Sequence, residues 1–286
     1  MPVGLVIGCI ELILNLEADR TEHQIGRRIM NRSHAFWSLG FFGAGAASAF
    51  IAQSGLNPQQ HLMLMVPVVL VGALLILGRF QPAPPRRGGS TEETTRFAAP
   101  TLGIMVLFLV VFSAVLMEGA GIDWSANYMK TIFASSPFIA SVAVATGALT
   151  QGITRFFADG FVERYSPTSV ARVLLGILGL GTILVYFTNQ DWVALCGFAL
   201  MGVGTSALFP LAMSAAAQRT DRSAAVNVAA FAQIAFVSFL LGPPFLGLVA
   251  EHWGIRWSFG IGLPLVVLSL VFAGALGKKP ILHEVD

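Results

Sequence analysis

The chain has 286 residues, of which 55% are hydrophobic and only 11% are charged, and its formal net charge is +2. Soluble domains carry about 25% charged residues because their surface must stay hydrated. This composition therefore excludes an ordinary soluble domain and indicates a protein that sits in a lipid bilayer.

The apolar residues occur in blocks of about 17–25 residues, the length that a helix needs to cross hydrocarbon. A membrane β-barrel would show an alternation of apolar and polar side chains instead, and runs such as TLGIMVLFLVVFSAVLM have none. The sequence therefore predicts an all-α membrane protein with nine transmembrane helices. In chain order, the predicted spans cover residues 2–18, 35–52, 62–79, 101–118, 137–157, 170–187, 192–214, 224–250 and 257–276.

The basic residues test this count, since cytoplasmic loops of membrane proteins are enriched in Lys and Arg. With nine spans, all of the 17 basic residues except Lys130 and Arg256 lie on one side of the membrane. We refer to this side as the basic side. The rule places it, and the C-terminus with it, in the cytoplasm.

The long polar segment FQPAPPRRGGSTEETTRFAAP follows the third span, and its Pro, Gly and Ser content is typical of a flexible linker. It divides the chain into a three-helix part at residues 1–79, a linker at 80–100, a six-helix half at 101–279 and a tail at 280–286. Six helices, built as three plus three, is the repeat size of many transporter halves.

Glu11 lies inside the first predicted span, where a charge costs at least ~2.5–3.5 kcal/mol and is a candidate for function by default. Asn15 follows four residues later on the same helix face. Two interpretations stay open: Glu11 carries a proton during transport, or it is protonated or paired within the bundle without a transport role.

Several segments resemble the major facilitator superfamily of secondary transporters. GITRFFADGFVERY is similar to the short charged loop after the second helix of each three-helix unit, and FLLGPPFLGLVAEHWGIRWSF to the eleventh helix and the loop after it. EGAGIDWSANYM and RRIMNRSHAFWSLGFFGAG resemble the seventh helix and the start of the fifth in a bacterial branch related to fucose–proton symporters. The resemblance assigns the nine spans to helices four through twelve of a twelve-helix fold and implies that the first three helices are missing from this sequence.

The resemblance also implies roles for single residues. CIELILN is similar to a Glu-x-x-x-Asn pattern of fucose–proton symporters in which the acid takes part in proton coupling, so Glu11 and Asn15 are candidates for that role. The fourth predicted span would line the central cavity, with Glu118, Asp123 and Trp124 at its outer end. These residues either contact a polar substrate or protons at the cavity mouth, or the acids are ordinary interfacial charges.

Arg155, Asp159 and Arg164 occupy the charged positions of the loop motif. A carboxylate beside helix N-termini and arginines can hold the two halves of a transporter in one state. The three residues are therefore a predicted conformational latch, and the alternative is that they are solvated loop charges.

The sequence contains no phosphate-binding glycine loop, no HExxH pattern and no Cys/His cluster, so we expect no enzyme activity, no cofactor and no metal. The predicted function is secondary active transport of a small polar solute by alternating access across a bacterial inner membrane. Its expected partners are the lipid bilayer, the solute (a sugar is the first candidate) and protons, without nucleic acid. The alternative is a truncated remnant or a membrane scaffold that does not transport.

Overall fold

The computed structural model describes residues 2–53, 56–78, 80–84 and 98–277, and no β-strand is present within these ranges. The helices in chain order are α1 (Pro2–Ile25), α2 (Met30–Gln53), α3 (Pro58–Leu77), α4 (Leu102–Phe133), α5 (Pro137–Arg164), α6 (Pro167–Phe187), α7 (Asp191–Thr205), α8 (Leu208–Ala217), α9 (Ala224–Trp253), α10 (Trp257–Gly260) and α11 (Gly262–Phe272), with a final 3₁₀ turn at Ala273–Leu276.

Polar residues cap many of the helix N-termini, because the first backbone N–H groups of a helix have no partner within it. The Thr101 side chain accepts a hydrogen bond from the first turn of α4 at 3.3 Å. Asn57, Ser136, Ser166 and Ser223 do the same for α3, α5, α6 and α9. Prolines stand in the first turn of α3, α5 and α6, where their missing N–H is not needed.

Six helical segments in the described ranges are long and apolar enough to cross a membrane. They are Gln59–Leu77, Leu102–Phe133, Pro167–Phe187, Asp191–Ala217, Ala224–Trp253 and Trp257–Leu276. The segment Asp191–Ala217 combines α7 with α8, and the last one combines α10, α11 and the 3₁₀ turn. Each of the nine predicted spans overlaps a helix of the structure. Six of them correspond to the segments with the length and composition of a membrane span. The crossing of the membrane by α1, α2 and α5 stays a prediction.

Two helices extend well beyond the predicted ends of their spans. The fourth span was predicted to end at residue 118, but α4 continues to Phe133, so the prediction that Glu118 lies at its outer end is wrong. At 1.5 Å per residue, Glu118 lies about 24 Å from the start of α4, close to its middle. The fifth span was predicted to end at 157, whereas α5 runs to Arg164 and includes the motif that was expected to form a loop.

α4 is the central helix of the bundle and packs against α5, α7, α8, α9 and α11. Tyr128, Phe198 and Phe259 join α4, α7 and α10 through edge-to-face contacts, with ring centroids 5.2–5.7 Å apart. α2 packs along α5 and provides the most extensive contact between the first three helices and the rest of the chain. The apolar part of α3 has no buried residue, as expected of a helix that faces lipid.

Gly202 and Gly204 allow α7 to pack closely between α5 and α6. A Cβ atom on Gly204 would lie 2.5 Å from the backbone nitrogen of Leu178, and one on Gly202 would overlap the carbonyl oxygen of Gly147. Small residues at helix contacts are a common means of bringing membrane helices together. These two glycines therefore determine how near α7 comes to its neighbours.

Candidate transport site

A buried ion pair joins α4 and α5 in the middle of the bundle. Nη2 of Arg155 donates to both carboxylate oxygens of Glu118, at 3.1 and 3.3 Å. The two side chains are only 3% and 8% exposed. Since an uncompensated charge in a buried site costs several kcal/mol, the pairing explains how both helices carry a charged residue there.

Arg155 also binds α2 and the chain after α7. Its Nη1 donates to Oγ of Ser38 on α2 at 2.6 Å, and its Nε donates to the backbone carbonyl of Ser206 at 2.5 Å. The guanidinium group presents its N–H donors in a rigid planar fork, so these contacts fix its orientation. Arg155 therefore connects α2, α4 and the α7–α8 break.

Gln151 extends this network by one turn along α5. Its Oε1 accepts from Oγ of Ser38 at 3.1 Å, and its Nε2 donates to Oγ1 of Thr205 at 3.2 Å. Ser38, Gln151 and Thr205 are all buried. The hydrogen bonds satisfy polar groups that would otherwise be unpaired in a membrane interior.

Glu11, Asn15 and His34 form the part of the cluster that comes from α1 and α2. Nδ2 of Asn15 donates to Oε1 of Glu11 at 3.3 Å, and Oδ1 of Asn15 lies 2.9 Å from Nε2 of His34. Because an amide oxygen only accepts, Nε2 of His34 carries the proton in this contact. Glu11 also interacts electrostatically with Arg155 and Glu118, so the predicted proton-coupling pair belongs to the same cluster as the ion pair.

A small cavity lies beside the ion pair, between α2, α4, α5 and α7. It is lined by the aromatic residues Trp37, Phe41 and Phe198, the polar residues Ser38, Glu118, Gln151 and Thr205, and apolar side chains. The volume open to water is about 30 Å³, which holds about two water molecules at roughly 15 Å³ each. A volume of this size is too small for a sugar in this conformation.

An open groove lies between α1 and α2. Glu11, Asn15, His34 and Trp37 line it, together with Glu17. Glu118 lines the small cavity, Glu11 lines this groove, and Trp37 lines both.

A second group of acids surrounds the N-terminus of α2 on the basic side. Asp159 accepts from the backbone N–H of Asn31 and of Arg32 at 3.3 and 3.0 Å, and from Nδ2 of Asn31 at 2.7 Å. Oε1 of Glu163 accepts from the backbone N–H of Arg28 at 3.1 Å. Both acids belong to α5, so they fix the start of α2 against that helix.

Glu22, at the end of α1, completes this group. Its Oε1 accepts from the backbone N–H groups of Ile29 and Met30, both at 2.8 Å. Burial raises the pKa of Glu22 above its usual value of 4.5, and the two hydrogen bonds partly oppose that shift. We call Glu22, Asp159 and Glu163 the α2 cap, because these carboxyl groups face the positive end of the α2 helix dipole.

The structure separates the residues that the sequence grouped as a latch. Asp159 belongs to the α2 cap, Arg155 belongs to the buried ion pair, and Arg164 is exposed and lies over the Tyr165 ring at 5.4 Å.

The structure likewise separates the acids predicted together on α4. Asp123 is exposed, whereas Glu118 is buried in the ion pair. Trp124 packs on α9, where a Cβ atom added to Gly247 would lie 3.4 Å from its ring. Of these three residues, only Glu118 reaches the buried cluster.

Sequence reasoning missed Ser38, His34, Glu22 and Glu163 as members of these sites. The four-residue spacing of His34 and Ser38 could have indicated a site, because it places both polar side chains on one face of α2. Glu11 and Asn15 have the same spacing on α1. Glu22 and Glu163 gave no comparable signal, because an acid near a helix end is usually solvated.

A helical bundle with membrane-length helices and a buried charged cluster is the architecture of a membrane transport protein. The sequence profile of the Major Facilitator Superfamily matches residues 106–283, which is more than half of the chain. The chain therefore belongs to the Major Facilitator Superfamily.

Three relatives match nearly the full chain. An uncharacterized transporter of Sinorhizobium fredii, y4wD, is 30% identical over 275 residues that cover 96% of this chain and 72% of the relative. An uncharacterized MFS-type transporter of Yersinia pestis is 30% identical, with coverage of 96% and 71%. The membrane protein MosC of Rhizobium meliloti is 22% identical, with coverage of 96% and 64%.

Proposed function

We propose that this chain acts in secondary active transport, moving a small polar solute together with protons by alternating access across a bacterial inner membrane. The observation that carries this proposal is the cluster of the buried Glu118–Arg155 ion pair and the half-buried Glu11, to which helices of both predicted parts contribute. In the proposed topology α1, α2 and α5 also cross the membrane and the C-terminus is cytoplasmic.

The two-part organisation of the cluster supports alternating access. Glu11 and Ser38 come from residues 1–79, whereas Glu118 and Arg155 come from residues 101–279. Transporters of this kind rock one half against the other around a site near the bilayer midplane. Polar contacts across that boundary are suited to the motion, because water or solute hydroxyl groups can replace each bond as it opens.

The helix assignment rests on order and coverage. If the nine predicted spans correspond to helices four through twelve of a twelve-helix fold, the chain should match about three quarters of a relative's length. The observed share for the Sinorhizobium relative is 72%.

The lining of the small cavity supports a polar, uncharged solute, with a monosaccharide as the first candidate. Ligand sites in proteins combine aromatic walls with a few well-placed polar groups. Trp37 and Phe198 supply aromatic faces, and Ser38, Gln151 and Glu118 supply hydrogen-bonding groups. In a conformation where α2 moves away from α5, these groups become available to the hydroxyl groups of a sugar ring.

The α2 cap supports a latch on the basic side. Opening that side separates α2 from α5, which breaks the hydrogen bonds that Asp159 and Glu163 accept from the start of α2. We assign the latch to these two acids, with Arg155 acting in the ion pair instead. The latch holds the basic side closed, and its opening lets the solute leave or enter there.

Solute counterflow tests the proposal directly. The purified protein is reconstituted into liposomes loaded with a monosaccharide, and uptake of the same labelled sugar is measured, starting with L-fucose. We expect counterflow in the wild type and in Arg164→Gln, an exposed control on the same helix, and at least a tenfold loss in Arg155→Met. Counterflow by Arg155→Met at the wild-type rate would show that the cluster is not the transport site. A well-folded protein that moves no solute of a broad panel would favour the scaffold alternative.

A further inference from the structure

We propose that Pro210 is a positioning residue for Arg155. Its missing N–H group frees the Ser206 carbonyl group, and that carbonyl group holds the guanidinium group in place. This inference rests on the proposed transport site and adds the break between α7 and α8 to it. The break is then a joint that Arg155 connects to the buried ion pair, rather than a local irregularity of one helix.

The first observation concerns the break itself. α7 ends at Thr205 and α8 begins at Leu208, although Asp191–Ala217 is one segment of membrane-spanning length. Proline has no N–H group, and its ring clashes with the carbonyl group of the residue four positions earlier in a helix. For Pro210 that residue is Ser206, which lies in the break. Pro210 therefore explains the interruption and leaves the Ser206 carbonyl group without its helical partner.

The second observation is that Arg155 takes the place of the missing partner. In the described ranges, no backbone N–H group donates to the Ser206 carbonyl oxygen. Nε of Arg155 donates to this oxygen at 2.5 Å. Ser206 and Pro210 are both buried, so the carbonyl group is shielded from bulk water. Loss of the bond to Arg155 therefore leaves a buried carbonyl group unsatisfied, which is unfavourable in a membrane interior.

The third observation is that the same guanidinium group holds Glu118. Nη2 of Arg155 binds both carboxylate oxygens of Glu118, while Nε binds Ser206. Because the guanidinium group is planar and rigid, the bond to Ser206 fixes the plane in which Nη2 meets the carboxylate. A change in the angle between α7 and α8 therefore moves the guanidinium group relative to Glu118. Pro210 acts on the ion pair through this bond.

A double-mutant cycle between positions 155 and 210 tests the proposal. Pro210→Ala restores an N–H group that can bind the Ser206 carbonyl group, so Arg155→Met should cost less stability with Ala at 210 than with Pro. All proteins of the cycle carry Glu118→Gln, so that the removal of Arg155 leaves no unpaired carboxylate. The two effects of Arg155→Met on the unfolding equilibrium constant in detergent should differ roughly five- to thirtyfold.

Pro244→Ala is the matched control for this cycle. Pro244 also stands inside a helix, α9, but the carbonyl group that it frees belongs to Leu240. The hydrogen bonds of Arg155 go to other residues, so the effects of Pro244→Ala and Arg155→Met should be additive. Additive effects of Pro210→Ala and Arg155→Met would overturn the proposal, because the Ser206 carbonyl group would then not depend on Arg155.

Nitrogen-15 NMR of the arginine side chains gives a readout that a purely structural proline would not change. The Nε proton of Arg155 is buried and hydrogen-bonded, so it should exchange slowly with water in the wild type. Pro210→Ala draws the Ser206 carbonyl group back to the helix backbone and should make this exchange about fivefold faster. Pro244→Ala should leave it unchanged.

Equal exchange rates in Pro210→Ala and the wild type would overturn the proposal, and this result needs no variant of Arg155, so it decides the question even if Arg155→Met does not fold. Neither measurement involves transport. The expected coupling together with failed counterflow would reject the proposed function and leave the positioning role standing. Counterflow together with additive effects would reject the positioning role alone.

Discussion

Asp159 of α5 binds both the side chain and the backbone of Asn31 at the start of α2, with distances of 2.7 and 3.3 Å to the same carboxylate oxygen. The two residues are 128 positions apart in the chain and belong to the two different predicted parts. Their contact therefore fixes the start of α2 against α5.

Removal of the negative charge from Asp159 should favour the state that is open on the basic side. In Asp159→Asn the amide keeps one acceptor oxygen but loses the charge and the acceptor for the Arg32 backbone. A charge at a helix N-terminus contributes about 1 kcal/mol, so the equilibrium should shift about fivefold. Maleimide labelling of Ala35→Cys, a buried position on the α2 face that carries Asn31 and Ser38, should become faster by that factor.

The matched control for this prediction is Arg164→Gln, which changes an exposed charge at the same end of α5 and should leave the labelling rate unchanged. Mass spectrometry of the labelled peptides separates the introduced cysteine from the exposed Cys9 and Cys196. An equal labelling rate in Asp159→Asn and the wild type would show that Asp159 does not hold the closed state.

The raised pKa of Glu22 makes a pH-dependent contribution to stability. Because its folded-state pKa lies above the usual value of 4.5, ionisation of Glu22 destabilises the folded protein at neutral pH. That penalty disappears as the pH falls through the folded-state pKa towards 4.5. Glu22→Gln keeps an acceptor for Ile29 and Met30 without the ionisation, so it should melt at or above the wild-type temperature at neutral pH.

The melting temperatures of Glu22→Gln and the wild type should therefore converge as the pH is lowered to about 4.5. Glu22→Ala loses both hydrogen bonds and should be less stable than either by about 1–3 kcal/mol. A difference between Glu22→Gln and the wild type that stays constant with pH would contradict the assignment.

Ser38 is the point where α2 enters the buried network. Ser38→Ala removes the acceptor for Arg155 and the donor for Gln151, and leaves buried polar groups without partners at a cost of about 1–3 kcal/mol. The variant should melt at a lower temperature than Ser33→Ala, which removes an exposed hydroxyl from the same helix. Equal melting temperatures would show that the bonds of Ser38 add little to the packing of α2 on α5.

The sequence predicted the helical membrane class because long apolar runs are visible in a single chain. It placed Glu118 at the end of a span and Arg155 in a loop, because a hydropathy profile scores each charged residue as if it were in water. The ion pair forms between residues 37 positions apart and neutralises both, so α4 and α5 continue through positions that appeared to end a span. The α2 cap was not predicted for a related reason, since two of its acids, Asp159 and Glu163, bind backbone groups more than a hundred residues away.

Close packing at Gly202 should make this position intolerant of any side chain. A Cβ atom there overlaps the Gly147 carbonyl oxygen and the Thr150 hydroxyl, so Gly202→Ala should destabilise the protein by about 1–3 kcal/mol. Gly160→Ala is the control, because nothing lies within 4 Å of its added Cβ atom. Denaturation in detergent should show a loss of stability for Gly202→Ala only. Equal stability of Gly202→Ala and the wild type would mean that α5 and α7 move apart easily.

The central claim is that the cluster around Arg155 couples solute movement to protons, and Glu11→Gln tests it most directly. In liposomes, counterflow needs no net proton movement, whereas accumulation against a gradient and solute-driven pH change both do. We predict that Glu11→Gln keeps sugar counterflow but loses proton-driven accumulation and the pH change. Unaltered proton movement in this variant would contradict the claim.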